Sequence, residues 1–379
     1  MLQIIERGLL SRSQPNSDRA NLTFPTVTLL ADGTLLATWR AGSTKDSADE
    51  MVEFARSDDG GQTWSAPWRP FACPVLDGKQ GTIKICYLTE LAPDHLLAAA
   101  MWIDRTTHPG QPLFNEETEG CLPMFIILAD SHDFGASWSP WRVVPMPDEI
   151  GPASLTSPIL KLADGSLAMS IETNKHYYDR SRWMQKVVFF HSGDQGQTWH
   201  EPNTAGEDPT GRIFHWDLRC GVAPDGRVAT FAWTYDTQTA RYLNIHRRIS
   251  TDHGRTWSAP EDLGFADQAA RPAMLPDGRV MLAYVDRFQS HSIRARLASS
   301  VDAPFAPASE AVIYAHAEAA TQDDSTGELL AEMALWSFGL PYAEALPDGN
   351  VLLVYYAGTA EAMDLHWVRL RPHSSEDYP

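Results

Sequence analysis

Short apolar runs alternate with tight polar turns along this chain, and the alternation repeats. An apolar run, an Asp-Gly or Asp-His pair and a second apolar run recur six times. The segments are PTVTLLADGTLLATW at 25–39, CYLTELAPDHLLAAAMW at 86–102, SPILKLADGSLAMSI at 157–171, LRCGVAPDGRVATFAW at 218–233, RPAMLPDGRVMLAYV at 271–285 and AEALPDGNVLLVYY at 343–356. Asp-Gly between apolar runs predicts a β-hairpin. Glycine accepts the positive φ of such a turn, and aspartate closes it through its side chain. The turn aspartates are Asp32, Asp94, Asp164, Asp225, Asp277 and Asp348.

A second pattern, S-x-D-x-G-x-[ST]-W, occurs four times, at 57–64, 131–138, 192–199 and 250–257. Each copy follows one of the hairpins. Its serine, aspartate and threonine oxygens suit loop amides, its glycine suits a strained backbone position, and its tryptophan suits a packing role. The pattern therefore predicts a structural turn, and its aspartates are poor candidates for catalysis. A degenerate copy surrounds Ser300 and Asp302 in the fifth unit.

Two hairpins per unit make four antiparallel strands. Six such units predict an all-β chain folded as a six-bladed β-propeller of four-stranded antiparallel blades. The whole of 1–379 then forms one domain. The blades fall at about 20–75, 80–147, 153–205, 212–264, 268–315 and 335–372. The N-terminal segment is available to add a strand, and 315–332 reads as a polar connector with a short helix.

Charge narrows the partners. With 30 basic and 49 acidic side chains, the net charge of −19 argues against nucleic acid and against anionic membranes. It leaves room for one basic pocket. The four cysteines, Cys73, Cys86, Cys121 and Cys220, form no CxxC pair and no zinc spacing, so no metal and no cofactor is expected. No signal peptide or transmembrane segment is visible, which predicts a soluble, cytoplasmic protein.

In a four-strand meander both kinds of turn lie at one end, so the freer loops gather at the other. Function is expected on those loops. They carry Arg40, Asp46 and Asp49 in the first unit, Glu172, Lys175 and Tyr177 in the third, and Trp216, Asp217 and Arg219 in the fourth. The fifth adds Arg271 and Arg287, and the sixth Trp336 and Tyr342. Arginine forks bind carboxylates, aromatic faces stack on sugars, and carboxylates and tyrosines serve glycosidic chemistry. The set points to a carbohydrate substrate carrying negative charge.

The four boxes are the Asp-box motif. With the hairpins, they resemble the sialidase (neuraminidase) superfamily over nearly the whole chain. The resemblance implies an exo-glycosidase that removes a terminal acidic sugar with retention of configuration. Arg40 matches the arginine that ends the first unit's second strand. Asp46 then falls at the acid/base aspartate, with Asp49 as the competing choice. Asp217 matches the glutamate that assists a nucleophilic tyrosine, and Tyr342 lies near that tyrosine. The F-R-I-P arginine of the family's carboxylate-gripping triad is missing, with Thr23-Phe24-Pro25 in its place, and the other triad arginines have no direct match, with Arg219, Arg271 and Arg287 as the available replacements. Two alternatives stay open. One is a hydrolase or lyase for another acidic sugar such as a uronate, with Lys175, His176, Tyr177 and Tyr178 supplying the chemistry. The other is a non-catalytic glycan-binding propeller.

Overall fold

The computed structural model describes residues 1–200, 202–316, 336–359 and 361–373. Most of the expected 315–332 connector lies outside the described residues. Strands account for nearly all regular structure, with a single 3-10 turn at Asp148–Ile150 among the described residues.

The chain opens with β1 (Leu2–Ser11), β2 (Asn21–Leu29), β3 (Leu35–Gly42) and β4 (Met51–Ser57). Next come β5 (Gly81–Ala92), β6 (His95–Asp104), β7 (Met124–Ser131) and β8 (Arg142–Val143), which form one four-stranded sheet. Strands β9 (Leu160–Lys161), β10 (Leu167–Glu172), β11 (Lys186–Ser192) and β12 (Asn203–Glu207) form another. Strands β13 (Ile213–Val222), β14 (Val228–Asp236), β15 (Arg241–Tyr242), β16 (His246–Ser250) and β17 (Glu261–Asp262) make a five-stranded sheet. So do β18 (Gln268–Ala269), β19 (Ala273–Met274), β20 (Val280–Asp286), β21 (Ser292–Ala298) and β22 (Ala306–Ala315). The last strands are β23 (Phe338–Ala345), β24 (Val351–Gly358) and β25 (Met363–Pro372).

The first and last groups share a seven-stranded sheet. Strand β1 pairs antiparallel with the outer edge of β25, so the N-terminal segment does add a strand, to the last group. A lone parallel bridge, Asn21 to Met363, joins β2 to β25.

Neighbouring sheets stack through apolar faces. Phe54 and Phe71 meet Trp102 and Ile127. Phe189 and Leu160 pack with Cys220 and Ala232. Phe231 packs with Phe265 and Leu282, and Ile293 with Leu353 and Leu370. Burying such faces on both sides explains why the central strands read as nearly continuous apolar runs.

The boxes are turns. In the first, Ser57 Oγ donates to Asp59 Oδ1 at 2.8 Å and accepts from the Gly61 amide at 2.8 Å. Thr63 donates its amide to Asp59 Oδ1 at 2.9 Å and its hydroxyl to Oδ2 at 2.6 Å. The same bonds recur around Asp133, Asp194 and Asp252. Gly61 has φ +92°, and a Cβ there would meet Leu352 at 2.8 Å, so this position needs glycine twice over. Among the described residues, no helix is long and apolar enough to cross a membrane.

Candidate active site

Four of the first strands carry a β-bulge. Register shifts fall between Thr23 and Thr26, Ile83 and Ile85, Trp216 and Arg219, and Gly339 and Tyr342. A bulge re-aims a side chain out of the pleat. The re-aimed residues here are Phe24, Lys84, Asp217 and Leu340, and all four line one cavity of about 570 Å3. Phe24, Asp217 and Leu340 hold positive φ values of 55°, 47° and 44°. Non-glycine residues adopt such values only where their surroundings enforce them. In the fifth group the first strand breaks between β18 and β19, and Gln268 reaches the cavity.

A pair of carboxyl groups shares one wall. Glu172 ends β10, is buried, and accepts from the Leu218 amide at 2.8 Å and from Thr156 Oγ1 at 3.0 Å. Burial, and then the nearby charge of Asp217, push its carboxyl up to about 8. Asp217 pairs with Arg219 at 2.6 Å and accepts from the Gln268 side chain. Arg219 also donates to Tyr87 Oη at 2.8 Å and to the Thr156 carbonyl.

Asp46 sits in a different setting. Its Oδ1 meets Arg105 at 2.6 Å and Lys84 at 3.2 Å, and its Oδ2 accepts from the Leu113 amide at 2.7 Å. Burial raises its carboxyl, but Lys84, Arg105 and the Leu113 amide outweigh burial and hold it well below the usual range. Buried Glu50 receives Arg40, Lys84 and Arg105 from beneath. Asp46 is therefore an anion within an ion network, not a store of a proton.

Tryptophans form a further wall. Trp183, Trp216, Trp233 and Trp336 line the cavity. They are braced from behind: Trp216 stacks on Tyr235 at 5.0 Å and Trp233 on Tyr242 at 4.3 Å. The Arg287 guanidinium lies 3.8 Å over the Trp336 ring. Its terminal nitrogens donate to the Phe338 carbonyl at 3.1 Å and to the Gln268 side-chain oxygen.

Seven of the expected residues thus line one cavity: Asp46, Glu172, Trp216, Asp217, Arg219, Arg287 and Trp336. The other six do not. Arg40 is buried under the loop it anchors, bonded to Glu50, the Thr44 carbonyl and Ser47. Asp49 accepts the Ser43 amide at 3.1 Å and ties the same loop. Lys175 donates to the Ser181 carbonyl at 2.9 Å, and Tyr177 stacks on His108 at 5.0 Å behind Gln111. Arg271 is held by Glu344 and the Ala343 carbonyl. Tyr342 lies two residues beyond its bulge, between the Tyr87 ring at 6.2 Å and Arg271 at 5.2 Å, and burial pushes its phenol up to about 12.

The sequence reading missed Lys84, Tyr87, Gln268 and Tyr356, all of which line the cavity. Lys84 left a signal, a lone charge inside the apolar run TIKICYL at 82–88. A lysine buried in a strand needs partners, and those it has are the Lys45 carbonyl, Asp46 and Glu50.

Sheets of Asp-box strands that bring acids, cations and indoles to one cavity define a sialidase-type fold. Residues 33–304 match the model of the BNR repeat-like domain, and the chain belongs to that family. Solved structures share the fold at low identity. A Dyadobacter fermentans protein of unknown function has a TM-score of 0.74 at 20% identity, over 98% of this chain and 99% of its own. The intramolecular trans-sialidase of Ruminococcus gnavus, complexed with oseltamivir carboxylate, has a TM-score of 0.63 at 15% identity, over 95% and 97%. The α-L-arabinanase of Penicillium chrysogenum, complexed with arabinobiose, has a TM-score of 0.62 at 15% identity, over 96% and 98%. No curated protein sequence matches the chain.

Proposed function

We propose that the chain is a six-bladed β-propeller glycoside hydrolase whose catalytic pair is Glu172 and Asp217. Six blades result when the two groups of the seven-stranded sheet are counted separately, with β1 as the outer strand of the last. The observation that carries the chemistry is the carboxyl pair in one cavity wall. Glu172 keeps its proton to about 8, while Asp217 is ion-paired with Arg219. Two acids in contrasting environments divide the roles of acid and anion between them. Glu172 protonates the departing glycosidic oxygen. The Asp217 carboxylate faces the positive charge that develops at the anomeric carbon, where water then adds and returns a proton to Glu172. Sugar-binding neighbours of opposite kinds, the trans-sialidase and the arabinanase, support carbohydrate as the substrate class.

Leaving-group dependence tests this. Glu172→Gln should lower kcat about 10²–10⁴-fold on substrates with poor leaving groups. It should cost far less on dinitrophenyl glycosides, which leave without a proton. Equal losses on both would remove Glu172 from the acid role.

The resemblance offers a second assignment, with Asp46 as acid, Tyr342 as nucleophile, Asp217 as its base and a terminal acidic sugar as substrate. Arg219 and Arg287 at the cavity favour it. Against it stand the ion pairs that hold Asp46 deprotonated and the partners that already occupy Asp217. Tyr342→Phe separates the two: near-normal kcat supports the carboxyl pair, and loss of turnover supports the tyrosine.

A further inference from the structure

An acidic sugar needs a guanidinium with two N–H groups open on one side. Both arginines that line the cavity already hold protein partners on each terminal nitrogen. Arg219 gives Nη2 to Asp217 at 2.6 Å, and Nη1 to Tyr87 and the Thr156 carbonyl. Arg287 gives Nη1 to the Phe338 carbonyl and Nη2 to Gln268. The Nε atoms of both are buried away from any incoming group. Lys84 is shared by Asp46 and Glu50, and Lys45 donates to the Trp336 carbonyl and, at 3.0 Å, to Tyr356.

The bulge positions agree. Two of the four residues turned into the cavity are Phe24 and Leu340, which offer nothing to a carboxylate. The carboxylates of Asp46, Asp217 and Glu116 line the same space as Lys45, Lys84, Arg219 and Arg287, and Asp46 and Asp217 already pair with Lys84 and Arg219. What remains is suited to a neutral ring: indole faces for its C–H side, and Gln111 and the Asp46 carboxylate as partners for hydroxyls.

We infer that the glycone held in this cavity is uncharged, a neutral sugar stacked on the tryptophan wall, and not a sialic acid or a uronate. This rests on the hydrolase reading for turnover, but not for binding. Carbohydrate binding is therefore measured separately from catalysis.

Wild-type protein is assayed on fluorogenic neutral glycosides (pentosides, deoxyhexosides, hexosides) beside sialosides and uronides. In parallel, the Glu172→Gln protein is titrated with neutral and acidic oligosaccharides, with tryptophan fluorescence as the readout. The expected result is turnover of a neutral glycoside with kcat/KM at least about 100-fold above any acidic one. Its Kd should change less than about twofold between roughly 0.05 and 0.5 M NaCl, since no ion pair is screened. Preference for a sialoside or uronide overturns the inference and leaves the hydrolase intact. Binding of neutral sugars without turnover does the reverse. If no sugar binds and none is turned over, both fail.

Discussion

Glu172 and Asp217 differ because of what each touches. Glu172 ends a strand in a buried corner, with one amide and one hydroxyl for partners. Asp217 sits on a bulge beside a guanidinium. An acid catalyst works only while protonated, so activity should persist up to about pH 8 and fall above it, where Glu172 ionises. A pH–rate profile of kcat checks this, and the alkaline fall should be absent from the residual activity of Glu172→Gln. The position of Asp217 was legible in the sequence by counting back from the turn at Asp225. The same count from Asp32 and Asp348 lands on Phe24 and Leu340, two of the other three bulge residues, and not on Tyr342. The acid character of Glu172 was not legible. It depends on burial and on a charge from the next sheet, and no spacing along the chain encodes either.

Hairpins and boxes were readable because their causes are local. The Asp-Gly turns form within a few residues, as when the Thr34 amide donates to Asp32 Oδ1 at 2.9 Å. Bulges are set by pairing with the neighbouring strand, so composition alone does not announce them. Two of them did leave a trace, a proline directly after the re-aimed residue in Phe24-Pro25 and Leu340-Pro341. Proline cannot donate to the ladder, and it suits a break in the pairing. The boxes do not line the cavity, so damaging one should spare catalysis. Asp252→Ala removes the acceptor for Ser250 Oγ at 2.8 Å, the Thr256 amide at 2.8 Å and the Thr256 hydroxyl at 2.6 Å. Calorimetry should record a Tm lower by about 2–4 °C, with kcat and KM unchanged.

Across the whole molecule, edge pairing and charge set stability. Strand β1 covers the outer edge of β25 through register pairs from Leu2–Pro372 to Ser11–Leu365. Deleting residues 1–12 would expose that edge and leave gaps in the two apolar clusters that buried Leu2 and Leu10 join. A Tm loss on the order of 10 °C and concentration-dependent aggregation are expected, by calorimetry and light scattering. Acid acts through all four boxes together. Hydroxyl and amide donors hold Asp133 and Asp194 at about 2. In Asp59 and Asp252 the same donors outweigh slight burial and reach about 2 as well. All four lie below the ordinary 3.8 expected once the chain unfolds. A carboxyl lowered on folding stabilises above its unfolded value, and that contribution is lost as pH falls through its folded value. Glu172 and Asp267, raised by burial to about 8 and about 7, have the opposite sign and destabilise progressively between about 4 and 8. Below pH 4 both are protonated in either state and no longer oppose the boxes. Tm should therefore drop steeply between about pH 4 and 2. Asp252→Ala should lose less than wild type across that window, because one of the linked protons is gone. If the two proteins lose equal Tm from pH 4 to pH 2, the boxes are not what acid breaks.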